Sequence, residues 1–125
     1  MILNLDENHW EEVYNGYGEI NFTEDKIILK PKISTSPSET HSALVTSFLR
    51  VKDFTLEIKA TTINQLRENS APNAWEVFWI YFNYNPTKKG KKTTNYFLLK
   101  PNGYELGSAW NETDQYFIET GDSVV

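Results

Sequence analysis

The 125-residue chain has no cysteine, which excludes disulfides, thiolate-zinc sites and cysteine nucleophiles and leaves the redox compartment open. It has no apolar run long enough to span a bilayer and no basic, apolar, small-residue leader, so no membrane insertion is expected. Positive charge is scarce: 12 Lys and Arg against 17 Asp and Glu give a formal net charge of −5. General binding to nucleic acid or an anionic membrane needs positive surface to replace counterions, so neither is expected and an uncharged partner fits better. There are only two histidines, His9 and His41, far apart and without a neighbouring ligand pattern, which reads as surface or turn placement. A phosphate-cradling glycine loop and a nucleophile-elbow glycine pattern are both missing. Sustained helical periodicity is absent as well, which leaves an all-β chain.

What is present is a succession of short strand patterns separated by turn residues. With 39% hydrophobic and 14% aromatic residues, the chain can pack a core, and residues 1–125 read as a single domain. Strands are expected at 19–22, 26–31, 42–48, 54–62, 75–84, 94–100, 104–110 and 115–119. Ser34-Thr35-Ser36-Pro37-Ser38 and Asn69-Ser70-Ala71-Pro72-Asn73 read as loops. Phe54, Leu56, Ile58 and Ala60 alternate with Thr55, Glu57, Lys59 and Thr61, the simplest half-buried strand pattern in the chain. The strand at 75–84 is apolar on both sides. Its alternation sends Phe78, Ile80 and Phe82 to one face, expected to fill a core, and Trp75, Val77, Trp79 and Tyr81 to the other.

Acidic residues crowd the start, where Asp6, Glu7, Glu11, Glu12, Glu19, Glu24 and Asp25 precede the first basic residue, Lys26. This reads as a solvated strand-and-turn surface. Pro86 to Lys92 reads as a long hairpin loop whose Lys88-Lys89-Gly90-Lys91-Lys92 tip discourages edge pairing. Asn21-Phe22-Thr23 and Asn111-Glu112-Thr113 fit the glycosylation triplet, a pattern that arises readily by chance.

The block from Trp75 to Gly107, with Trp-Glu-Val, an aromatic strand, Tyr-Phe-Leu-Leu-Lys-Pro-Asn-Gly and Glu-Leu-Gly, resembles the concanavalin A-like lectin/glucanase jelly rolls, in particular their family 16-like and laminin-G-like members. Trp10, Gly16-Tyr17-Gly18 and Ser42-Ala43-Leu44-Val45-Thr46 fit the opening strands of the same fold. The resemblance implies an antiparallel jelly-roll β-sandwich of two curved sheets, the concave one often binding a sugar chain. Relatives of this kind continue with further strands past the counterpart of residues 115–121. The chain is therefore expected to be the front portion of such a sandwich, with a second polypeptide as one means of completing it. The resemblance favours an extracellular or cell-surface location. It implies no cofactor other than a structural calcium, for which Asp6, Glu7 and loop carbonyls are the available ligands without EF-hand spacing.

On this reading Trp75, Trp79 and Tyr81, with Tyr96, form a concave aromatic face suited to the apolar C–H surface of pyranose rings. The competing view makes the same rings a second core layer. Lys100 shares an alternate face with Tyr96 and Leu98 and is the best placed cation for sugar hydroxyls, ahead of Arg50, Lys59 and Arg67. Catalysis is disfavoured, because the alternating Glu, Asp and Glu of family 16 enzymes are missing from the central strand. Glu57, Glu76, Glu105 and Asp114 remain as carboxylates that the sequence alone cannot pair. Three functions follow: a non-catalytic carbohydrate-binding or cell-surface recognition module, a glycan-active hydrolase or lyase with carboxylates partly outside this segment, and an assembly subunit completed by strand addition.

Overall fold

A computed structural model describes residues 2–85, 92–110 and 114–122. The loop 86–91 and the triplet Asn111-Glu112-Thr113 lie outside the described residues, as do the side chains of Lys92, Thr93, Trp110 and Asp114. The described chain contains no helix and is all-β, with eight strands in antiparallel sheets. Its backbone divides into two compact units, Met1–Ile58 with Leu66–Ala71, and Lys59–Gln65 with Pro72–Val125.

The first unit holds two strand pairs. β1 (Trp10–Tyr14) pairs with β4 (Leu44–Ser47), and β2 (Glu19–Phe22) pairs with β3 (Ile27–Lys30). The β2–β3 turn is fastened by Thr23: its amide donates to the Lys26 carbonyl at 2.9 Å, and its hydroxyl donates to Asp25 Oδ1 at 2.8 Å. These are local side-chain bonds of the kind that favour turns over ladders. The expected acidic surface is thus partly a turn-forming device. β1 was not among the expected strands, because a bulge between Glu12 and Tyr14 breaks its alternation and leaves Glu11, Glu12 and Val13 all exposed.

The second unit is a four-stranded meander in the order β5 (Trp79–Phe82), β6 (Lys92–Lys100), β7 (Gly103–Trp110) and β8 (Asp114–Asp122). Pro101 and Asn102 form the two-residue turn between β6 and β7, with proline's fixed φ setting the first corner. Gly103 follows at φ +148°, where a side chain would run into the Gly121 backbone, so only glycine fits.

Two expectations are corrected here. Residues 54–62 form no strand in the described structure: the alternation is present, but no ladder receives it, and every residue from 54 to 62 is exposed. The strand expected over 75–84 is confined to Trp79–Phe82. Its start is lost to a tight turn in which Glu76 accepts hydrogen bonds from the Asn73 amide and side chain, both at 3.1 Å, and the Val77 amide donates to the Trp75 carbonyl at 2.9 Å.

The core of the second unit is one face of β6 and β7. Thr94, Tyr96 and Leu98 are buried on β6, and Gly103, Glu105, Gly107 and Ala109 are buried on β7. Tyr96 opposes Gly107, and a Cβ on Gly107 would lie 2.5 Å from the Tyr96 hydroxyl and 2.7 Å from the Tyr116 carbonyl. The missing side chain is what lets the phenol ring lie against the strand. Replacing Gly107 with alanine is expected to destabilise the protein by about 1–3 kcal/mol through overpacking. Gly103→Ala should cost at least as much, since its Cβ would run into the Gly121 carbonyl oxygen at a positive φ. Chemical denaturation of both variants against the parent checks these values.

Candidate functional site

The register of β5, β6 and β7 decides which expected site residues share a face. Trp79 opposes Leu98 and Tyr81 opposes Tyr96, so alternation places Trp79, Tyr81, Tyr96, Leu98 and Lys100 on one side of the sheet, as the sequence pattern required. This is also the buried side. Tyr96 has 0% of its surface exposed, and Val77, Trp79 and Tyr81 pack against the cluster of Tyr96, Leu98 and Ala109. The expectation that Phe78, Ile80 and Phe82 fill a core is not met on this sheet, because the buried cluster of Tyr96, Leu98 and Ala109 lies on the side of Trp79 and Tyr81. Ile80 and Phe82 are only half-buried, and Leu99, facing away from Tyr96, is exposed.

The aromatic residues form a graded series. The Trp79 ring lies 4.8 Å from Tyr96 and 6.4 Å, edge to face, from Tyr81, and Tyr81 lies 5.9 Å from Tyr84. Trp79 and Tyr81 are half-buried on β5, an edge strand of the described sheet. Trp75 lies in the preceding turn with 42% of its surface exposed, and its carbonyl accepts the Trp79 indole N–H at 2.8 Å. Among the expected site residues, the accessible aromatic surface is thus Trp75 and the outer parts of Trp79 and Tyr81, with Tyr96 as a buried support for Trp79 and Tyr81.

Lys100 is held at 2.6 Å by Glu105, and both side chains are largely buried. The pair follows from the Pro101-Asn102 turn, which brings Lys100 opposite Gly103 and diagonally next to Glu105. Its ammonium is engaged in balancing a carboxylate that burial would otherwise leave uncompensated. Arg67 likewise serves its own unit: its guanidinium donates to the Ser36 and Glu39 carbonyls, each at 2.7 Å, and fastens the loop between them. Among the candidate carboxylates, Glu76 is bound to Asn73, Glu105 to Lys100, and Glu57 lies in the exposed segment. Asp6 accepts the Asn8 amide at 3.0 Å and contacts His9 Nδ1 at 2.6 Å, and the His9 bond is the main cause holding its carboxyl below the usual range. Among the described residues no group of three or more His, Asp or Glu could hold a metal ion, and no helix is long and apolar enough to cross a membrane.

A concavity of about 420 Å³ lies in the first unit and is lined by Glu12, Tyr14, Tyr17, Thr40, His41 and neighbouring backbone. Tyr17 is 84% exposed at φ +60°, with its ring set edge to face on His41 at 5.5 Å. His41 Nε2 contacts Glu39 Oε1 at 2.5 Å, the main cause of a lowered Glu39 carboxyl pKa. Sequence reasoning missed this grouping because Tyr17 and His41 are 24 positions apart; the available signal was a tyrosine between Gly16 and Gly18.

The Tyr96 hydroxyl is buried without a hydrogen-bond partner among the described residues. Burial, reinforced by the Glu105 carboxylate, raises its pKa above the ordinary value of about 10. A raised phenol pKa contributes stability that is complete below about pH 10 and is lost as pH rises through the folded value. Tyr96→Phe is therefore expected to be neutral or stabilising by up to about 1–2 kcal/mol, since it removes an unsatisfied group. In an ultraviolet titration it should also remove a phenol that ionises late. Lys100→Ala should instead destabilise by about 1–3 kcal/mol, because it strands Glu105. Denaturant titrations at neutral pH separate the two outcomes.

Comparison with protein-family models, curated proteins and solved structures gives no match. The residues and their geometry carry the functional reading by themselves.

Proposed function

We propose that this protein is a non-catalytic carbohydrate-binding or cell-surface recognition module, and that its strands belong to a jelly-roll sandwich of the concanavalin A type. The observation that carries the binding reading is the aromatic strip of Trp75, Trp79 and Tyr81, which keeps part of its surface in solvent while Tyr96 beneath it is closed off. An indole and a phenol offer a flat apolar surface to pyranose C–H groups and polar edges to hydroxyls. The buried Trp79–Tyr96 contact restrains the strip before a ligand arrives, which reduces the ordering cost of binding. The fold-family part of the proposal rests on the residues that carry the resemblance, notably the β6–β7 hairpin with its Lys-Pro-Asn-Gly turn.

Trp75 is the residue on which to test binding, because it is exposed and lies outside the ladder; Trp79→Ala would also undo the packing on Tyr96. In affinity electrophoresis and calorimetry against a panel of soluble polysaccharides, the parent is expected to bind at least one. Trp75→Ala should weaken that binding by about tenfold or more, the scale of a lost aromatic contact, with an unchanged circular dichroism spectrum. Equal affinity in the variant, or no binding across the panel, overturns the proposal. Release of new reducing ends would mark a glycan-cleaving enzyme instead.

A further inference from the structure

Residues 54–61 alternate Phe54, Leu56, Ile58 and Ala60 with Thr55, Glu57, Lys59 and Thr61, yet they enter no ladder among the described residues. Phe54, Leu56 and Ile58 each have 47–48% of their surface exposed. The end of the segment is anchored, since the Thr62 hydroxyl accepts the Phe78 amide at 2.9 Å. A β-patterned stretch with free backbone donors and acceptors templates the addition of another strand.

The sequence of the segment selects what that strand is. In an antiparallel pair of two copies, a register centred on Ile58 sets Ile58 against itself, Leu56 against Ala60 and Thr55 against Thr61. It also sets each Glu57 against the Lys59 of the other copy, giving two opposite-charge pairs related by the two-fold axis. Centring the register on Glu57 or on Lys59 opposes like charges at the axis, and a one-residue slip sets apolar side chains against polar ones. Neither Glu57 nor Lys59 has an ion-pair partner of its own among the described residues. The register centred on Ile58 therefore pairs both charges of the segment with their opposites.

We propose that residues 54–61 form an intermolecular β-strand that pairs antiparallel with the same segment of a second copy, centred on Ile58 and held in register by reciprocal Glu57–Lys59 contacts. The test of this pairing uses no glycan. One strand a side buries far less than the roughly 1,600 Å² of a stable interface, so the dimer is expected to dissociate on dilution.

Sedimentation velocity of the full chain between about 1 µM and 1 mM, the range in which small interfaces come apart, reads the equilibrium directly. The parent should shift from monomer to dimer across this range. Glu57→Lys sets a lysine against each Lys59, and Lys59→Glu sets a glutamate against each Glu57, so each variant should dimerise at least about tenfold more weakly. An equimolar mixture of the two restores both opposite-charge pairs, as does the double variant E57K/K59E, and each should return to near the parent affinity. Because the altered side chains are exposed, circular dichroism should match the parent in every case. A parent that stays monomeric, single variants that dimerise like the parent, or a mixture no better than its components would each overturn the proposal.

Discussion

The contact between Tyr96 and Gly107 is the constraint on which the second unit depends. The phenol occupies the space that a side chain at Gly107 would fill, which fixes the pairing of β6 with β7 and closes the core face over Leu98 and Ala109. Register in an antiparallel sheet is coupled to facing, so this one pairing also determines that Lys100 meets Glu105 and that Trp79 rests on Tyr96. The aromatic strip is the outer layer of that arrangement. Trp79 and Tyr81 are positioned by that packed interior, while Trp75 stands in the preceding turn.

How much of this could be read from the sequence varied with how local the cause was. β2 and the β6–β7 turn were legible because Glu19 to Phe22 alternates cleanly and Pro101-Asn102-Gly103 specifies its own geometry. β1 was not, since the bulge between Glu12 and Tyr14 changes the period on which the reading relies. Residues 54–62 show the opposite failure: the pattern states that a strand is suitable, while pairing depends on a partner that no local pattern names.

The candidate site divides in the same way. Alternation correctly set Trp79, Tyr81, Tyr96 and Lys100 on one face, but alternation cannot tell which face of a two-sided apolar strand is covered. Trp75 left the strand because Asn73 and Glu76 hydrogen-bond to each other, a preference visible only when short side-chain-to-backbone bonds are weighed against β-propensity. Tyr17 and His41 needed the third dimension.

Arg67 has a consequence for how the chain can be divided. Its guanidinium completes the loop at Ser36 and Glu39 from nearly thirty residues away, and the stretch Leu66–Ala71 that carries it belongs to the first unit, while Lys59–Gln65 before it belongs to the second. The two units are thus interleaved along the polypeptide, and no single cleavage separates them intact: a cut after Ile58 removes the arginine that fastens the first unit, and a cut after Ala71 takes Thr62 and Gln65 from the second. Each unit is thus built from two separate stretches of the polypeptide, and neither corresponds to a contiguous segment of the sequence.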